Sequence, residues 1–125
     1  MNGAYKTILF DLVKNRNGYT YYKLYINDVC PFEKFCQDVK KVPRDEKSLI
    51  AIFSMMEMFG AQLLPNTKFR QIKGIDRTDV FEFKKNTVRV YVVKQTPNVY
   101  LVMGGYKGTQ DKDIERLKAQ LKKFE

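Results

Sequence analysis

Histidine is absent from this chain, so the side chain that most often moves protons near neutral pH is missing. Every Ser-His or Cys-His nucleophile pair goes with it. Cys30 and Cys36 make a poor zinc site, because structural zinc usually takes four Cys or His ligands, and neither a metal nor another cofactor is expected. What remains for chemistry is cationic, with a few carboxylates set among the cations. Lys68, Arg70 and Lys73 lie in a polar stretch; Glu82 and Lys84 stand two residues apart; Arg89 follows. Tyr106 and Lys107 are adjacent, and Lys112 and Arg116 come shortly after. With 23 Lys and Arg against 14 Asp and Glu the formal charge is +9, and such a field concentrates polyanions and speeds their encounter. On charge alone, nucleic acid, anionic lipid and an acidic protein all remain open as partners. So does a basic domain with no polyanion target.

The elements that must position these groups can be read from pattern. Residues 5–13 and 19–26 are rich in β-favouring types, and the turn formers Lys14 to Gly18 join them into a hairpin. Phe32, Phe35, Cys36 and Val39 recur at helical spacing. Val42-Pro43 breaks that helix, and Pro43 opens a second, with Asp45 and Glu46 near its positive end. Leu49, Ile52, Phe53 and Met56 form one face; Ile50, Met55, Met58 and Phe59 widen it, which predicts a helix lying between a sheet and a neighbouring helix. Gly60 is the expected stop.

Residues 61–78 read as a polar connector. Val80 to Lys85, Val88 to Lys94 and Val99 to Met103 alternate with period two, the mark of an antiparallel meander with one core face. Gly104 to Gly108 reads as flexible. Thr109 or Asp111 can cap a last helix whose apolar stripe is Ile114, Leu117, Leu121 and Phe124. The expected fold is α+β: an N-terminal β-hairpin or strand, two helices, an antiparallel meander and a C-terminal helix, in one domain spanning 1–125. No segment approaches the ~20 apolar residues of a membrane span. The N-terminus lacks the features of a signal peptide, so a cytoplasmic protein with reduced thiols and no membrane partner is expected.

Four stretches occur in an order that resembles the RelE superfamily of toxins, closest to its phage-derived HigB-like branch. They are KFRQIKG (Lys68 to Gly74), FEFK (Phe81 to Lys84), VRVYV (Val88 to Val92) and VYLVMGGYKGTQ (Val99 to Gln110). Upstream, FEKFCQDVKK and LIAIFSMMEMFGAQL resemble the family's helical pair. Where the family's strand carries an arginine this chain has Lys84, and its His-Gly-Phe reads Gly104-Gly105-Tyr106.

The resemblance implies a type II toxin: a ribosome-dependent, metal-independent endoribonuclease that cuts mRNA, partnered by a helix-turn-helix antitoxin. In that reaction the RNA 2′-hydroxyl attacks its own adjacent phosphate. A base, cations around the phosphorane and an acid for the leaving oxygen are required. Carried onto this chain, the catalytic set is Glu82, Lys84, Arg89, Tyr106 and Lys107. Arg89 is a phosphate clamp or an arginine solvated on an open sheet face. Glu82 is a general base or an ion-pair partner of Arg89. Tyr106 stacks on a base, donates a proton with a pKa lowered by cations, or packs on the last helix. Lys68, Arg70, Lys73, Lys112 and Arg116 are the expected RNA-binding residues, the alternative being a solvated basic face. The other functional class compatible with these residues is a non-catalytic RNA- or protein-binding module of the same fold.

Overall fold

The computed structural model describes residues 5–124. In chain order the elements are β1 (Tyr5–Leu9), β2 (Thr20–Ile26), α1 (Pro31–Val39), α2 (Pro43–Met58), β3 (Phe69–Gln71), β4 (Val80–Lys85), β5 (Val88–Gln95), β6 (Asn98–Tyr106), a 3-10 turn (Lys107–Thr109) and α3 (Gln110–Lys123). The fold is α+β, with the expected order of hairpin, helix pair, meander and terminal helix. The six strands form one sheet in the order β1-β2-β6-β5-β4-β3. Neighbours are antiparallel except β2 and β6, which run parallel with Tyr21 beside Val99. The sheet is therefore mixed, because the α1–α2 crossover returns the chain so that β6 runs alongside β2 in the same direction.

Helices cover both faces. Val88, Val90 and Val92 pack with Phe32, Val39, Ile52 and Met56 beneath α1 and α2. Tyr91 and Val93 pack with Leu24, Val102, Leu117 and Leu121 beneath α3. Residues 88–93 are consequently all buried, and the expected single core face is corrected: in a central strand the period-two pattern separates two cores rather than core from water.

Three further expectations change. The connector holds a strand, β3, too short for alternation to reveal. Helix α2 lies against both the sheet and α1, as expected, but Ile50 and Met58 of its widened face are exposed. Gly104 and Gly105 are not flexible: they are buried within β6. A Cβ on Gly104 would lie 2.0 Å from the Phe35 ring, and one on Gly105 2.1 Å from Asp113 Oδ2. Only glycine lets α1 and α3 approach β6 this closely from opposite faces.

The hairpin turn is fastened to α2. Asn15 Nδ2 donates to the carbonyls of Met56 and Phe59, both at 2.8 Å, while its Oδ1 accepts from the Asn17 amide at 2.7 Å. Tyr21 donates its hydroxyl to the same Met56 carbonyl at 3.0 Å. These bonds go to carbonyls at the helix end, where the i→i+4 ladder stops and the Phe59 amide reaches the Met56 carbonyl only at 3.3 Å. Among the described residues, no helix is long and apolar enough to cross a membrane.

Candidate polyanion-binding cleft

Strand register brings the charged residues together. Arg70 lies directly opposite Glu82 across β3–β4, Glu82 opposite Tyr91 and Lys84 opposite Arg89 across β4–β5. Alternation along each strand points all five to the face covered by α3. The first turn of α3 closes over this group, and Gln110 Nε2 donates to Glu82 Oε1 at 3.0 Å. That turn is held down at a second point, where buried Asp113 accepts from Thr109 Oγ1 at 2.7 Å and from the Tyr106 amide at 3.3 Å. Thr109 stands at the N-cap position but makes no capping bond of its own. Between β3 and the start of α3 opens a cleft of about 770 Å³, lined among others by Asn66, Arg70, Lys73, Lys84 and Gln110. Concave sites of this size accommodate small ligands or a nucleotide unit.

Asp111 also lines the cleft, and the charges beneath it are organised around one buried carboxylate. Glu82 is fully buried, with Arg70 Nε at 2.5 Å from Oε2 and Arg89 Nε at 3.7 Å from Oε1. Arg89 is only 7% exposed, and its Nη1 donates to the carbonyls of Asn86 at 2.8 Å and Val88 at 3.0 Å. The solvated arginine is corrected by this burial. Arg89 instead ties the β4–β5 turn to the buried carboxylate, as the ion-pair alternative had it. Lys84 sits at the wall of the cleft. Burial, then Arg70, and then Arg89 and Lys107 push its ammonium below the ordinary lysine range, against the opposing pull of Glu82.

The other candidates do not all join this group. Lys107 begins the turn before α3, with its amide bonded to the Thr87 carbonyl at 2.8 Å, and its charge reaches Lys84. Lys68 is exposed beside β3, and its carbonyl accepts from the Lys84 amide at 2.8 Å. Lys112 and Arg116 line a different groove, between α1 and α3 along Gly104 and Gly105. Tyr106 is opposite Val88 in the register and therefore shares the face of α1 and α2, away from Glu82 and Arg89. Its ring packs on Phe35 and its hydroxyl donates to Asp38 Oδ2 at 2.9 Å. Burial and that bond raise its pKa to about 12, the reverse of the expected lowering by cations.

Two residues of the cleft group escaped the sequence reading. Gln110 carries no periodic signal, since its role depends on where α3 docks. Tyr91 did carry one, the shared parity with Arg89, but an aromatic in a strand reads first as core. The basic and acidic side chains of this cleft can bind an anion and hold it against a fixed charge pattern. Both Glu82 oxygens are already engaged.

No protein-family model matches the chain, no curated protein matches it, and no solved structure matches it.

Proposed function

We propose that this chain binds single-stranded RNA through its phosphates, along the cleft between β3 and the first turn of α3. The observation that carries the reading is the convergence of Arg70, Lys73 and Lys84 on one concave surface, with Lys107 close enough to act on Lys84. A chain of formal charge +9 supplies long-range attraction, and the cleft supplies the place where backbone phosphates dock. RNA is preferred to lipid or acidic protein because the motif order from Lys68 to Gln110 resembles RNA-cutting toxins. Binding is preferred to cutting because Glu82 is ion-paired and Tyr106 belongs to the opposite face. The test is salt-dependent binding of a labelled RNA oligonucleotide, with release of no fragments.

A second reading, the ribosome-dependent mRNA endoribonuclease toxin with its antitoxin, is favoured by the place of Lys84 at the wall of the cleft, where burial and Arg70 lower its ammonium. A lysine so placed can exchange a proton with a 2′-hydroxyl or a leaving oxygen more readily than an ordinary one. Adding the protein to translating ribosomes and finding mRNA ends with cyclic phosphates supports this reading; intact mRNA eliminates it.

A further inference from the structure

Glu82 is 0% exposed, whereas its nearest partner, Arg70, has 46% of its side chain open to solvent. The guanidinium that neutralises the buried carboxylate is thus also the one an incoming phosphate meets first. Moving Arg70 to a phosphate leaves a buried charge without its partner, which is strongly unfavourable unless another cation replaces it. A replacement is already in place. Arg89 Nε is 3.7 Å from Glu82 Oε1, and together with the Tyr91 hydroxyl it is one of two buried side-chain atoms without a hydrogen-bond partner among the described residues. Buried donors are rarely left this way without a reason. Closing the gap to hydrogen-bond length takes a shift of roughly 1 Å.

We infer that Arg70 is an exchangeable arginine: it trades the Glu82 carboxylate for an RNA phosphate, and Arg89 Nε takes over Glu82 as it leaves. This rests on the cleft being the RNA site, and it names the residue that grips the non-bridging phosphate oxygens. Arg70 suits the role because one planar fork satisfies a carboxylate or a phosphate alike. Arg89 is a positioning residue, since it acts on RNA only through Glu82 and Arg70. Gln110 stays on Glu82 Oε1 and keeps that oxygen solvated by protein throughout the exchange.

A four-cornered cycle measures the exchange, using a short labelled oligouridylate. Glu82→Gln releases Arg70 and is expected to tighten binding about three- to tenfold, a charged hydrogen bond discounted for the exposure of Arg70. In an Arg70→Ala background the same change is expected to give no tightening, because nothing remains to be released. Arg89→Lys removes the reserve donor and should weaken binding, and adding Glu82→Gln should restore it. Spectra of the arginine Nε–H groups in the unaltered protein provide a readout that no folding defect can disturb. On RNA addition, the Arg70 signal should move and the Arg89 signal should shift to a bonded position. If the protein binds RNA but Glu82→Gln tightens equally with and without Arg70, or the Arg70 signal stays still, the exchange is overturned while the RNA reading stands. If the oligouridylate does not bind in a salt-dependent way, the RNA reading falls and the exchange falls with it.

Discussion

Replacing Lys84 with methionine separates a built cleft from a diffuse basic surface. Three cations, Arg70, Lys73 and Lys84, line the cleft. Each phosphate they neutralise contributes about −0.7 to the slope of log affinity against log salt for a single strand, giving roughly −2.1 for three. Raising salt fourfold should then cost the unaltered protein about 20-fold in affinity, and Lys84→Met, at a slope near −1.4, about 7-fold. Lys122→Met is the control. It removes the same formal charge about 18 Å further along α3 than Gln110, at 1.5 Å per residue, and should leave the slope unchanged. The assay is fluorescence anisotropy of a labelled single-stranded RNA over a salt series. A second arm uses pH. Since Lys84 holds its proton less tightly than an ordinary lysine, the slope should fall toward the Lys84→Met value as pH rises, before it reaches the ordinary lysine range. A 2′-O-methyl oligonucleotide survives those conditions. Equal slopes for Lys84→Met and the unaltered protein, or a lowered slope for Lys122→Met, would refute the assignment of the cleft.

Other outcomes follow from the packing. Gly104→Ala drives a methyl into the Phe35 ring at 2.0 Å and should destabilise by about 1–3 kcal/mol, read as a lower urea midpoint with unchanged m-value. Asn15→Ala strips two 2.8 Å bonds from the end of α2 and should lower stability by about 1–3 kcal/mol, measured the same way. Tyr106 is raised from 10.0 to about 12 by burial and by Asp38. A raised pKa adds stability that is fully present below pH 10 and is lost as pH climbs through about 12. Tyr106→Phe should therefore flatten part of the alkaline loss of stability in that window, and a profile identical to that of the unaltered protein rules the assignment out.

Order of elements and strand faces were legible in the chain itself. The hairpin, the two helices, the meander and the stripe of α3 all follow from spacing, because side-chain direction within one element is a local property of backbone geometry. Alternation alone also places Glu82 with Lys84, and Arg89 with Tyr91. What alternation cannot supply is what lies over a face or across from a strand. Arg70 opposite Glu82 depends on β3, a strand of three residues found only through its pairing with β4. Whether Arg89 meets water or protein depends on α3, some twenty residues further along the chain, docking over it. Tyr106 went to the far side because pairing with Val88 fixes its face, and that pairing belongs to the β5–β6 register rather than to either strand. Local pattern thus determined which residues share a face. Only the tertiary structure decided that the α3 face is covered, so that a row of charges expected at the surface became a buried carboxylate between two arginines.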